Sequence, residues 1–215
     1  MSNTTQRIIV GVVLALIAGL AAAGEYFGLP AVRWLGVAVV VMMMIELAAM
    51  MSRNRAVLRQ NHNWIVCGAF MAWLLVMLMA IYYVGTRPWI VLLLLLIIAA
   101  ADIGAWFFGH LLGGDKMWER LSANKTWTGQ ICGIACGTVA AIMYGLLGTD
   151  TFMPQLMWIG ISVALLSQYG DLTASWIKRR MGVKDFGNIL PGHGGLLDRF
   201  DGWIYALPII WLVML

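Results

Sequence analysis

Seven long apolar runs, near residues 8–24, 34–51, 64–84, 88–108, 128–147, 155–169 and 202–215, leave this chain few ways to fold. A helix needs about 20 residues to cross a bilayer. The third and fourth runs meet that length, while the sixth and seventh must tilt or borrow flanking residues. The runs are continuous and do not alternate as barrel strands would, so helices are the spanning element. Only 11% of the 215 residues are charged, against about 25% in soluble domains. The expectation is an all-α integral membrane protein, a polytopic bundle of about seven transmembrane helices with a polar pocket facing the cytoplasm. The first run, with Arg7 ahead of it, reads as a retained helix and not a cleaved signal.

Positive charge sets the orientation. With the N-terminus in the cytoplasm, the inside segments hold 12 basic residues, and only Arg33 and Arg87 fall outside. The net charge of +4 then reflects topology and attraction to anionic lipid, with no nucleic acid as partner. Arg53, Arg55 and Arg59 read as lipid-facing anchors, as do Lys116 and Arg120. Trp34, Trp64, Trp89, Trp127 and Trp203 stand near span ends, where aromatic belts form. Cys67, Cys132 and Cys136 lie within apolar runs and read as small packing groups.

No repeat or linker divides the chain. Residues 1–100 read as a hydrophobic scaffold, and 101–215 carry the polar groups within the same structural domain. Nine charged residues crowd between Asp171 and Asp201, among five glycines and His193. Residues 172–181 are predicted to continue the sixth helix out of the membrane, with Lys178, Arg179 and Arg180 suiting its negative end. Gly182 reads as the stop, and 182–197 as loop. Asp102 sits alone inside the fourth run, where an acid either locks helices through an ion pair or marks a site. Asp198 and Asp201, spaced i, i+3, would share one face if helical. Together with Asp171 from another helix, these carboxylates offer the hard oxygens that Mg²⁺ prefers. The alternative is that they neutralise Lys178, Arg179 and Arg199. The segment Pro191-Gly-His-Gly-Gly195 could cradle phosphate on its backbone N–H groups. Lys125 and Lys184 could meet phosphate as point charges and Arg179 as a fork. His193 could move a proton or be structural.

The pattern Ser175-x2-Lys178-Arg179-x4-Lys184-Asp185-x5-Pro191-Gly-His-Gly-Gly195-x2-Asp198-Arg199-x-Asp201 resembles the signature of the phosphatidate cytidylyltransferase (CDP-diacylglycerol synthase) family. Asp102-x-Gly-Ala-Trp106, Ser122-x2-Lys125-Thr126-Trp127-x-Gly129 and Gly170-Asp171-Leu172 are similar to further pieces of it. Ala123, Thr128 and Trp106 stand where the family usually has Pro, Glu and Tyr. The resemblance covers residues 100–215; residues 1–100 match as generic spans. It implies transfer of a cytidylyl group from CTP to phosphatidic acid, with release of pyrophosphate, in phospholipid biosynthesis. It further implies Mg²⁺, with K⁺ beside it, held by Asp171, Asp198, Asp102 and Asp201. Asp171, Asp198, Lys178 and Asp201 are then the catalytic set. Ser122, Lys125, Thr126, Ser175, Arg179, Lys184, Asp185, His193, Gly194, Gly195 and Arg199 form the substrate-binding set. The family setting is a bacterial-type inner membrane with the site facing the cytoplasm, and a homodimer. A CTP-dependent polyprenol or phytol kinase, an inactive relative and a small ion transporter remain as alternatives. Against the transporter, the polar residues gather at one face and do not line the midplane.

Overall fold

The computed structural model describes residues 16–17, 19–21, 23–25, 27–118, 122–149, 154–190 and 194–214. The first expected run falls largely outside them, although 16–17, 19–21 and 23–25 are helical. From there the chain forms α1 (Ala31–Arg53), α2 (Arg55–Leu58), α3 (Asn63–Val84), α4 (Pro88–Leu111), β1 (Lys116–Trp118), β2 (Ser122–Thr126), α5 (Trp127–Thr149), α6 (Pro154–Arg180) and α7 (Trp203–Val213). Four of these, α1, α3, α4 and α5, are long and apolar enough to cross a membrane, as expected of a mostly helical membrane protein. Large side chains such as Ile45, Leu75, Leu92, Ile103 and Ile131 stand outward on them. A helix that is apolar all round needs a lipid or protein surround.

Helix ends follow local chemistry. Pro88 and Pro154 open α4 and α6, where a missing N–H costs nothing. The α6 helix does continue past the sixth apolar run, reaching Arg180. Gly182 stops it with φ +70°, and the Val183 N–H closes back on the Lys178 carbonyl at 2.9 Å, a left-handed cap only glycine adopts cheaply. At 27 residues, α6 is about 40 Å long. Among the described residues, 182–190 and 194–202 hold turns and irregular backbone, joined by one isolated bridge between Leu190 and Gly194. Asp198 and Asp201 therefore lie in turns ahead of α7, and the shared helical face that their spacing allowed does not form.

One element adds to the all-helical expectation. β1 and β2 pair antiparallel, Lys116 opposite Thr126 and Trp118 opposite Ser122. Gly113 and Gly114, both at positive φ, turn the chain out of α4 and into this hairpin.

Two compact units result. Unit 1 comprises residues 1–88 and 176–201, and unit 2 comprises 89–175 and 202–215; α6 contributes to both. These units interleave along the chain, whereas the change in polarity near residue 100 is one of composition. In unit 1, α1 packs along α3. Arg180 fastens the start of α3 through Asn63 Oδ1 and the Asn61 carbonyl, both at 2.5 Å. Its guanidinium lies 5.2 Å from the Trp176 ring centroid.

Unit 2 is built on a row of glycines. Gly129, Gly133 and Gly137 share one face of α5. A Cβ on them would stand 2.6, 2.7 and 3.1 Å from the carbonyl oxygens of Ala105, Ala101 and Ile97 on α4. In lipid, helices associate by close backbone approach over small residues, since burial of apolar surface gains little there. Gly104 answers from α4, where an added Cβ would meet Cys136 Sγ at 2.6 Å. Cys136 thus packs as a small group, and all three cysteines are free. Gly133→Leu is expected to destabilise by about 1–3 kcal/mol or more through overpacking. Gly148→Leu, at a site with nothing within 4 Å, should melt like wild type. Thermal unfolding in detergent compares them, and equal midpoints would disprove the packing role.

The tryptophans largely fit an interfacial belt: Trp34, Trp64, Trp89 and Trp127 are exposed at helix starts. Trp203 is buried instead.

Candidate active site

Unit 2 supplies one cluster of charge. Asp171 on α6 pairs with Lys125, at the end of β2, with 2.5 Å between Oδ2 and Nζ. The Ser175 hydroxyl, one helical turn further on, donates to Asp171 Oδ1 at 3.4 Å. Asp102 on α4 lies within electrostatic range of both Asp171 and Lys125, and its side chain is exposed. Two carboxylates thus lie within electrostatic range of one ammonium, which is ion-paired with Asp171. The hairpin aims Lys125 because its strand ends in Thr126, whose buried hydroxyl accepts the Gly129 N–H at 3.1 Å. Thr126, expected in the substrate-binding set, is the N-terminal cap of α5. The side chain of Ser122 lies outside the described residues.

Unit 1 supplies the second cluster, and Asp198 organises it. Its Oδ1 takes the Lys178 ammonium at 2.7 Å. Its Oδ2 accepts the backbone N–H groups of Phe186 at 2.9 Å and Gly195 at 3.0 Å. The pair is nearly closed to solvent, with side-chain exposures of 11% for Lys178 and 5% for Asp198. Three donors take up most of the lone pairs of one carboxylate. The pairing of an acid with Lys178, which the sequence allowed, is present. Lys178 also lies 5.5 Å from the ring centroid of Phe186, which is fully buried and stacks on Phe70.

The glycine-rich segment is used differently from a bare phosphate cradle. Pro191, Gly192 and His193 lie outside the described residues. The N–H groups of Gly195, Leu196 and Leu197 all donate to carboxylates of the protein, the first to Asp198 and the next two to Glu46. Gly194 sits at φ +83°, where an added Cβ would also stand 3.2 Å from Asp198 Oδ2 and 3.4 Å from Asp185. Lys184, Asp185, Arg179 and Arg199 are exposed. One Arg179 N–H reaches the Val183 carbonyl at 3.4 Å. Asp201 is half-buried in the turn before α7.

Two residues of the expected scaffold half belong to this cluster. Glu46, in the middle of α1, is one. Arg53 is the other: it donates to the Phe186 carbonyl at 3.1 Å, which replaces its reading as a lipid anchor. A cavity of about 220 Å³ lies beside them, bordered by Arg53, Asn54, Asp185 and Asn188.

Among the described residues, no three His, Cys, Asp or Glu side chains gather closely enough to hold a metal ion alone. Mg²⁺ does not need such a cage, because it keeps waters and binds through one or two carboxylates plus substrate phosphates. Asp171 and Asp102 fit that role by donor type, exposure and shared charge. Asp198 already faces three N–H donors.

A model of the cytidylyltransferase family matches residues 1–215. A protein of Brucella suis named phosphatidate cytidylyltransferase is 36% identical over 161 residues, 72% of this chain and 58% of its own length. One of the same name from Staphylococcus haemolyticus is 38% identical over 138 residues, 62% of this chain and 53% of its own. Another from Staphylococcus epidermidis is 40% identical over 126 residues, 58% and 48% respectively. The chain spans about half the length of the curated relatives it matches. With a match along its whole length, the chain belongs to the cytidylyltransferase family.

Proposed function

We propose that this protein transfers the cytidylyl group of CTP to phosphatidic acid, forming CDP-diacylglycerol and releasing pyrophosphate. The family match along all 215 residues carries this reading, and the names of the relatives point to the lipid acceptor. In the reaction a phosphate oxygen of the lipid bonds to the α-phosphorus of CTP, and the bond to the β-phosphate bridge breaks. The acceptor is already anionic at neutral pH, so no strong base is required. The difficulty is electrostatic: two polyanions must meet.

Lys125, Ser175, Arg179, Lys184 and Arg199 are the groups we assign to substrate phosphates. Lys178 we assign to the catalytic set, with Asp198 fixing its ammonium. Asp171 and Asp102 would hold Mg²⁺, with Asp201 in support and K⁺ as a second cation. Bound there, the metal would supply positive charge to phosphate oxygens. The lysines neutralise charge, and the burial around Lys178 excludes water.

The finer placement follows the charge pattern. We infer seven membrane helices from the seven apolar runs of the sequence, the apolar part of α6 and the short α7 supplying two of them. The inner membrane, a cytoplasmic site and a homodimer are part of the same proposal.

Purified protein with CTP, phosphatidic acid and Mg²⁺ tests it. Label from α-³²P-CTP is expected in the lipid. Label passing only from γ-³²P-CTP to an alcohol acceptor would make the protein a kinase, and no transfer would leave a transporter or an inactive relative.

A further inference from the structure

Glu46 is 2% exposed on a helix long and apolar enough to span a membrane, where an unused charge is costly. Its Oε1 accepts the Leu196 N–H at 3.0 Å and its Oε2 the Leu197 N–H at 2.8 Å. Two turns along the same helix, Arg53 donates to the carbonyl of Phe186. One face of α1 thus grips both ends of the segment 186–197, with an acid on its N–H groups and a base on its carbonyl.

The glycines of that segment corroborate the grip. A Cβ at Gly187 would stand 2.7 Å from Glu46 Oε1, and one at Gly195 would stand 2.5 Å from Oε2. Neither glycine has a positive φ, so the backbone there accepts any residue. A larger residue at either position would have to push the carboxylate off its two N–H donors.

We propose that Glu46, with Arg53, is a positioning residue for the substrate site, setting the loop that carries Asp185, Gly194 and Asp198. This inference rests on the assignment of that loop to substrate made above. Glu46→Gln keeps the shape but turns an N–H donor toward a backbone N–H. Loss of a charge-assisted bond and the new clash of donors should lower kcat/KM by about 10- to 100-fold.

The test combines kinetics with amide exchange. In Glu46→Gln the KM for CTP should rise, which loss of folded molecules alone cannot cause. Exchange of peptides covering 186–200 should quicken, while those from α4 and α5 stay unchanged. Gly195→Ala should impair the wild type, yet cost less than about twofold when added to Glu46→Ala, because the clash is gone. Unchanged KM with unchanged exchange would overturn the proposal, as would full additivity of the two substitutions. Should the wild type transfer no cytidylyl group, the functional reading falls, and exchange at 186–200 alone decides the role of Glu46.

Discussion

Asp171→Asn is expected to reduce cytidylyl transfer by on the order of 10³-fold while leaving the fold intact. Both halves follow from its surroundings. The side chain is 37% exposed and its partner Lys125 25% exposed, so the pair contributes only about 0–1 kcal/mol to stability. The amide keeps the shape and can still accept from Ser175. It cannot supply the negative charge by which Asp171 is proposed to hold a cation, and removal of one such electrostatic element typically costs about 10²–10³-fold or more. Turnover with labelled CTP, set beside thermal unfolding in detergent, reads both quantities. Near-full activity in this variant would remove Asp171 from the metal assignment.

Asp198→Asn should behave in the opposite way, costing about 3–5 kcal/mol of stability along with activity. The substitution strands the Lys178 ammonium in a nearly closed site, and breaking one half of a buried pair is far more damaging than breaking an exposed one. It also weakens the hold on the Phe186 and Gly195 N–H groups. Lys178→Met should cost less stability, because Asp198 keeps two backbone donors. A melting point for Asp198→Asn equal to that of Asp171→Asn would disprove the distinction between the two carboxylates.

Much of this architecture was legible because membrane helices advertise themselves locally. Each of α1, α3, α4 and α5 is built on one long apolar run, and the Lys178–Arg180 cluster followed by Gly182 marks the end of α6 in the sequence. The hairpin of 116–126 was not legible, since three paired residues on one side carry no periodicity. The row Gly129, Gly133, Gly137 is visible in the sequence as a small-residue repeat, although the partner helix it meets is not. Glu46 is the most instructive omission. Its partners are backbone N–H groups 150 and 151 positions away, so no side-chain pattern could announce them. A signal existed nonetheless: a lone acid within an apolar run, the same anomaly that drew attention to Asp102. Thr126 shows the converse, a residue inside a recognisable motif whose hydroxyl serves a helix end.

On the proposed topology α6 crosses the membrane, and its 27 residues, about 40 Å of helix, exceed a hydrocarbon slab about 30 Å thick, so its final turns would stand beyond the oily layer. Asp171, Ser175 and Lys178 ride that rod on a common side and must move with it. A thicker or thinner bilayer that changes its tilt shifts all three by one lever. On the proposed activity, cytidylyl transfer is then expected to vary with acyl-chain length in the host membrane, through mechanics as well as through substrate supply.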